Sequence, residues 1–225
     1  MAERSGKSGK KKVLIVDDHP LICRGITDLA EQEPDLVVCG EVGDVPGALK
    51  AIEKLKPDIV VVDISLKGSN GIELIKDIKV RWPELPVLVF SMHNEVFFTE
   101  RVLRAGARGY ISKREPPMKI IEGIREVLKG GVSVSEEMTS QMIARFVGGK
   151  GNARESGVDG LTDREYEVFE WIGKGLATRD IAEKLHLSVK TVEAHREHIK
   201  RKLKLDSAAE LVRYAIQWIQ LEAGA

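Results

Sequence analysis

The segment VLIVDDHP at residues 13–20 decides the fold of the first half of the chain. Four apolar residues run without alternation into two aspartates, Asp17 and Asp18. A short run that is apolar at every position favours a strand that is covered on both faces. Two adjacent carboxylates repel each other unless a positive group lies beside them. The segment therefore predicts a buried strand that ends at a site for a cation.

Similar apolar runs recur along the first 130 residues and alternate with segments of helical periodicity. This repeated order of strand and helix indicates an α/β fold, a doubly wound five-stranded parallel sheet with helices on both faces. In such a sheet, ligands bind at the carboxyl ends of the strands. The predicted strands cover residues 13–16, 36–39, 59–62, 87–90 and 109–112, and the predicted helices cover residues 20–32, 45–55, 71–81, 95–105 and 117–129.

The composition limits the class of protein. With 225 residues the chain can form two modest domains, and 43% hydrophobic with 31% charged residues is typical of a globular protein. No apolar run approaches the roughly eighteen residues that cross a bilayer, and no signal peptide is recognisable. Cys23 and Cys39 are too few for a disulfide framework. We therefore expect a cytoplasmic bacterial protein without a membrane partner.

The second half of the chain has helical periodicity only. Four helices are predicted near residues 163–173, 178–185, 189–203 and 207–220, which form an all-α domain. Glycine-rich, polar sequence before them has the composition of a linker. The predicted organisation is a disordered basic tail at 1–11, an α/β domain at 12–130, a linker with a short helix at 131–160, and the helical domain at 161–225.

Polar side chains end the later strands of the predicted sheet. Asp63 follows the third strand, Ser91 the fourth and Lys113 the fifth, on the same edge as Asp17 and Asp18. Three clustered carboxylates favour a hard divalent cation, Mg²⁺ or Mn²⁺, which also takes a phosphoryl oxygen as ligand. One such cation and Lys113 together balance the three aspartates. Asp63, on the middle strand, is the best candidate for a nucleophile that forms an aspartyl phosphate.

The motifs VDD, DIS, FS and SK at these strand ends resemble the receiver domain of two-component response regulators over residues 12–130. The resemblance implies a flavodoxin-like fold, a sensor histidine kinase as phosphoryl donor and Asp63 as acceptor. It also implies that the chain is not an enzyme beyond catalysing its own phosphorylation and a slow self-dephosphorylation. By the same resemblance the metal site comprises Asp17, Asp18, Asp63 and the Ser65 backbone carbonyl, Ser91 and Lys113 bind the phosphoryl oxygens, and Tyr110 is the switch aromatic.

Residues 175–205 have the pattern of a helix-turn-helix. Thr178 and Ser188 are candidate N-caps of two helices that are separated by a short turn. On the second helix Val189, Val192, Ile199 and Leu203 share one face, which is expected to pack on the core. Residues 184–204 hold seven Lys or Arg against two Glu. This local positive field is typical of a helix that enters the major groove of DNA.

The segments LTDREYEVFEWIGKG and SVKTVEAHREHIKRKL are similar to the LuxR-type output domain of NarL/FixJ response regulators. The resemblance implies binding to double-stranded DNA as a homodimer, formed on DNA or on phosphorylation, with part of the last helix as the dimer surface. It implies base contacts by Glu193, Ala194 and Glu197, and phosphate contacts by Lys190, Thr191, Arg196, Lys200 and Lys202.

The residue patterns leave other functions open. The acidic cluster also fits a phosphatase with an aspartate nucleophile, or a DNA-binding protein whose acidic pocket is never phosphorylated. The basic helices also fit a four-helix interaction domain, and His195 with His198 offers a weak metal pair. The interpretation we favour is a transcription regulator that is controlled by phosphorylation.

Overall fold

The computed structural model describes residues 9–66, 69–92, 95–147 and 157–223. The chain divides into two compact units, Met1–Met142 and Ile143–Ala225, and each is described by itself. Most of the predicted tail and residues 148–156 of the predicted linker lie outside the described residues. The domain limits drawn from the sequence stay a prediction.

The first unit contains the predicted five-stranded parallel sheet. Its strands are β1 (Lys11–Val16), β2 (Leu36–Val42), β3 (Ile59–Val62), β6 (Val87–Ser91) and β7 (Tyr110–Ser112). They lie in the order β2-β1-β3-β6-β7, so β1 and β3 are neighbours at the centre of the sheet. Every residue of β3 is buried, as a run without alternation requires. The α/β fold predicted from the sequence is confirmed.

A two-stranded antiparallel hairpin follows β3 and was not predicted. Its strands are β4 (Ser65–Leu66) and β5 (Ser69–Asn70), with Ser65 opposite Asn70. Strands of two residues carry no periodicity, so sequence pattern alone gives no signal for them. The hairpin leads the chain from the end of the middle strand directly into the next helix.

Helices cover both faces of the sheet. They are α1 (Pro20–Glu31), α2 (Val45–Leu55), α3 (Gly71–Arg81), α4 (Glu95–Ala105) and α5 (Met118–Leu128); α6 (Glu136–Val147) begins in this unit and ends beyond its last residue, Met142. On one face α1 and α5 bury Ile26, Ile121 and Ile124 against Val13 and Ile15. On the other face α2, α3 and α4 pack side by side.

Among the described residues of the second unit, the regular elements are all helices. Its helices are α7 (Asp163–Gly173), α8 (Thr178–Lys184), α9 (Val189–Leu203) and α10 (Ala208–Ala223), as the sequence predicted. Phe169 of α7, Ile181 of α8, Ile199 of α9 and Leu211 of α10 are buried in its core. Within the described ranges, no helix is both long and apolar enough to cross a membrane.

The two helix starts predicted in the helix-turn-helix have different outcomes. Ser188 caps α9, since its side chain accepts a hydrogen bond from the Thr191 backbone N–H. The prediction for Thr178 is wrong, because Thr178 is the first residue of α8 and Ala177 occupies the N-cap position. Thr178 lies within the first turn, where its hydroxyl cannot take the cap position.

A capping box that was not predicted begins α7. Thr162 accepts a hydrogen bond from the Glu165 backbone N–H, and Glu165 accepts one in return from the Thr162 backbone N–H. This exchange satisfies two backbone donors that a helix start otherwise leaves without a partner.

Replacing the two threonines separately tests these helix starts. We expect Thr162→Ala to lower the free energy of unfolding by about 1 kcal/mol, because it removes a cap. Thr178→Ala is the matched control and should lie within roughly 0.5 kcal/mol of the parent protein. Urea denaturation of the full chain, followed by tryptophan fluorescence, measures both. Equal losses in the two variants would contradict the assignment of the caps.

Candidate functional site

A cluster of carboxylates lies at the carboxyl edge of the sheet. Because β1 and β3 are parallel neighbours in register, Asp17 and Asp63 leave the sheet side by side, and the Asp63 backbone N–H donates to the Val16 carbonyl at 2.9 Å. Asp17 is 5% exposed and Asp63 is 4% exposed. One carboxylate oxygen from each of Asp17, Asp18 and Asp63 lies within 4.8 Å of the others and of a ring nitrogen of His19.

The Lys113 ammonium group joins two of these carboxylates. Its Nζ lies 2.6 Å from Asp17 Oδ2 and 2.7 Å from Asp63 Oδ2, and its side chain is almost completely buried. Burial alone lowers the pKa of Lys113, but the charges of Asp63 and Asp17 outweigh burial and raise the pKa above its usual value. Lys113 therefore stays a cation at neutral pH and compensates one of the three negative charges.

Ser91 donates to the other oxygen of Asp63. Its Oγ lies 2.8 Å from Asp63 Oδ1, and the Ser65 backbone N–H approaches the same oxygen at 3.4 Å. Ser91 ends β6, and Tyr110 begins the neighbouring strand β7 with its side chain buried. The structure thus brings Asp63 together with two of its predicted partners, a hydroxyl and an ammonium group, one on each oxygen.

Two neighbours of the cluster were not predicted as part of it. His19 Nδ1 lies 3.0 Å from Asp17 Oδ1 and 3.0 Å from Asp18 Oδ1, while its side chain is 62% exposed. Cys23 Sγ donates to the Asp17 carbonyl at 3.4 Å from the buried side of α1. Burial raises the pKa of Cys23 to about 11, so the thiol is neutral. The adjacency of His19 to the two aspartates was the signal available in the sequence.

Gly71 supports the backbone of the acceptor residue. Its N–H donates to the Ile64 carbonyl at 2.7 Å, at the point where Asn70 caps α3. A Cβ on Gly71 would lie 2.1 Å from the Asp63 carbonyl oxygen, which is closer than atoms can approach. Only glycine therefore lets α3 begin directly against the end of β3.

The charges and donor atoms of the cluster fit a hard divalent cation. Three carboxylates and one ammonium group leave a net charge of about −2, which one Mg²⁺ or Mn²⁺ neutralises. Asp17 is engaged by Lys113 and His19, and the Asp18 side chain is more exposed, 12% against 3%. Asp63 and Asp18 also have neighbours of this kind, in Lys113 with Ser91 and in His19, so the assignment of the metal ligands among the three stays a prediction.

The outer face of α9 has a mixed charge. Five of its residues that reach solvent are Lys190, Glu193, Ala194, Glu197 and Arg201. The Thr191 hydroxyl lies 2.7 Å from the Ser188 hydroxyl at the start of the helix. The prediction that Val189 packs on the core is wrong, since its side chain is 42% exposed in the first turn.

Two lysines predicted to contact phosphates already have partners within the domain. Lys202 Nζ donates to Glu165 Oε2 at 2.6 Å and to the Gly160 carbonyl at 3.1 Å. Burial raises the pKa of Glu165, but the hydrogen bonds from Lys202 and Thr162 outweigh it and hold the pKa below its usual value. Lys200 Nζ lies 2.9 Å from Glu197 Oε1. Arg196 is half-buried, and burial lowers the pKa of its guanidinium.

Known families match both units of the chain. The family described as "Response regulator receiver domain" matches residues 13–125, and "Bacterial regulatory proteins, luxR family" matches residues 159–215. The fold and the acidic site define the class as a receiver joined to a helix-turn-helix domain. The chain belongs to the NarL/FixJ family of response regulators.

Individual proteins resemble the chain over nearly its whole length. The oxygen regulatory protein NreC of Staphylococcus carnosus (strain TM300) is 34% identical over 92% of this chain and 97% of its own. NreC of Staphylococcus aureus (strain JH9) is 35% identical over 94% and 99%. RcsB from Salmonella enterica serovar Typhimurium, solved on the promoter rprA with the phosphomimetic BeF3⁻, is 28% identical, with a TM-score of 0.60 over 92% of this chain and 98% of that one.

A methyl group on Gly71 tests the support of the acceptor strand. We expect Gly71→Ala to destabilise the first unit by roughly 1–3 kcal/mol, because the backbone of Asp63 must move. Gly25→Ala is the matched control on the exposed side of α1, where a Cβ meets no atom within 4 Å, and should stabilise by about 0.5 kcal/mol. Thermal unfolding of both variants measures the difference. A Gly71→Ala protein as stable as the parent would disprove the close approach.

Proposed function

We propose that this response regulator accepts a phosphoryl group on Asp63 from a sensor histidine kinase and controls transcription in the bacterial cytoplasm. The single observation that carries the proposal is the pair of donors on Asp63, with Ser91 on one oxygen and Lys113 on the other. These donors match the needs of a phosphoryl group, whose oxygens carry the negative charge that develops during transfer.

The transfer moves one phosphoryl group and needs no acid or base from the chain. An oxygen of Asp63 attacks phosphorus, a P–O bond forms, and the bond from phosphorus to the donor's histidine nitrogen breaks. Ser91 and Lys113 then donate to the phosphoryl oxygens in place of the carboxylate oxygens. The low exposure of Asp63, 4%, keeps water from competing for these donors.

Asp18, Asp63 and the Ser65 backbone carbonyl would hold the metal ion, and Asp17 and Lys113 would fix the charge around them. A bound Mg²⁺ or Mn²⁺ supplies a positive charge that balances the carboxylates and the incoming phosphoryl oxygens. In the slow self-dephosphorylation, water attacks the phosphorus of the acyl phosphate, the bond between phosphorus and the Asp63 oxygen breaks, and inorganic phosphate leaves.

The signal leaves the site through β6 and β7. Phosphorylation recruits Ser91, and the shift passes to Tyr110 on the adjacent strand and to α4, whose residues Phe98 and Thr99 are completely buried. Because these groups are tightly packed, a small displacement changes the outer surface of α4 in discrete steps. The changed surface favours homodimerisation, and a homodimer presents two recognition helices to paired half-sites of double-stranded DNA.

The outer face of α9 reads the DNA. Glu193 and Glu197 accept hydrogen bonds from cytosine N4, and Ala194 contacts the methyl group of thymine. Lys190, Thr191 and Arg196 contact phosphates from the start and edge of the helix. RcsB, whose structures include complexes with promoter DNA, supports this use of the domain by a relative.

Asp63→Asn tests the acceptor assignment. Incubation with acetyl phosphate and Mg²⁺ should add one phosphoryl mass to the parent protein and none to Asp63→Asn, because an amide cannot form the acyl phosphate. Asp77→Asn, an exposed residue of α3, is the control and should be phosphorylated normally. Intact-protein mass spectrometry measures the added phosphoryl mass in the parent protein and in both variants. Full phosphorylation of Asp63→Asn would refute the assignment.

Salt dependence tests the DNA contacts. Lys190→Met should lower the slope of log affinity against log salt concentration by roughly 0.9, since it removes one phosphate contact. Lys76→Met, on the receiver helix α3, removes the same charge away from the helix-turn-helix and should leave the slope unchanged. Titration of duplex DNA at several salt concentrations gives the slopes. Identical slopes for the parent and Lys190→Met would remove Lys190 from the interface.

A further inference from the structure

Two exposed glutamates on the DNA-facing side of α9 pose an electrostatic problem. Glu193 and Glu197 are one helical turn apart, so their charges repel each other, and both repel the phosphates of an approaching duplex. A carboxylate avoids this electrostatic repulsion at a base edge only if a positive side chain neutralises its charge. The ion pairs of α9 show which glutamate is compensated.

Glu197 is held by Lys200. The Lys200 Nζ lies 2.9 Å from Glu197 Oε1, and the Lys200 side chain is only 18% exposed while that of Glu197 is 70% exposed. The lysine stem is therefore packed against the domain and the carboxylate stands outside it. Arg201 is also within one turn of Glu197, but it makes no ion pair within the described part of the domain.

We propose that Lys200 is a positioning residue for Glu197 and does not anchor a phosphate. The ammonium group occupies Oε1, neutralises the carboxylate and leaves Oε2 to accept a hydrogen bond from cytosine N4 in the major groove. The pair acts as one neutral unit that determines a cytosine preference. This inference rests on the proposed binding of DNA, and it assigns the base specificity of that binding to the pair of Lys200 and Glu197.

The role of Lys200 differs from those of the other basic residues of the helix. Lys190 is exposed in the first turn. The Arg196 guanidinium feels the charge of Glu197 but forms no ion pair with a carboxylate among the described residues. Both charges therefore remain available for phosphate. Lys202 donates to Glu165 and to the Gly160 carbonyl, and it thereby stabilises the start of α7. A phosphate contact by Lys200 would instead bring the paired Glu197 carboxylate close to the same phosphate, which it repels.

The test compares base preference with salt dependence in the full-length protein. Selection from random duplexes defines the site that the parent protein prefers, and each base pair is then changed singly. In Lys200→Met and in Glu197→Ala, discrimination at one and the same C·G pair should fall about tenfold. The double variant should lose no more than either single variant, because the two residues act together. The salt slope of Lys200→Met should match that of the parent.

Lys190→Met is the matched control, with its base preference intact and its salt slope lowered by roughly 0.9. Circular dichroism confirms that each variant is folded. The proposal is overturned if Lys200→Met lowers the salt slope to the same extent and keeps the base preference of the parent protein. If the parent protein selects no duplex at all, the proposed DNA binding itself fails, and this outcome is distinct from the first.

Discussion

The ion pairs of Lys113 with Asp17 and Asp63 are the interaction on which the receiver unit depends. Two buried carboxylates on adjacent strands repel each other, and a single ammonium group, within 2.7 Å of both, removes most of that repulsion. Burying charges is costly unless they are paired and hydrogen-bonded. In the function we propose, the same ammonium group donates to the oxygens of the phosphoryl group. One residue would then both stabilise the sheet edge and bind the phosphoryl group.

The backbone around this cluster is fixed by close contacts. The start of α3 lies directly against the end of β3, which only Gly71 permits, and the short hairpin between them returns the chain within eight residues of Asp63. In the function we propose, Ser91 and Tyr110 are the side chains that respond to a new charge while this backbone stays fixed. We propose that a site held in this way transmits the change of charge to α4.

The sequence predicted most of the fold because its signals are strong and local. Apolar runs such as residues 13–16 and 59–62 and the helical periodicities between them placed ten elements within a few residues of their observed limits. The carboxyl edge of the sheet was also predictable, since parallel strands end on one side. The sequence did not predict the hairpin of Ser65–Leu66 with Ser69–Asn70, because two-residue strands have no periodicity. It placed a cap at Thr178, because threonine favours that position and the neighbouring alanine offers no competing signal.

The sequence did not predict which side chains pair with each other, because pairing depends on distances that only the fold determines. The resemblance to receiver domains implied that Lys113 meets phosphoryl oxygens, but not that it already bridges Asp17 and Asp63. The lysines of α9 looked equivalent in a charge count, although Lys200 and Lys202 are paired with glutamates. Val189 lies on the apolar face by spacing but is exposed at the first position of the helix, whereas Val192, three residues further on, is buried.

The charge balance at the sheet edge can be measured directly by titrating Mg²⁺ calorimetrically into the parent protein and into Lys113→Met. Removal of the ammonium group changes the cluster from about −2 to about −3, so the account predicts tighter Mg²⁺ binding together with a lower yield of acyl phosphate from acetyl phosphate. Circular dichroism establishes that the variant is folded. Unchanged or weaker Mg²⁺ binding by folded Lys113→Met would contradict the central role of this ion pair.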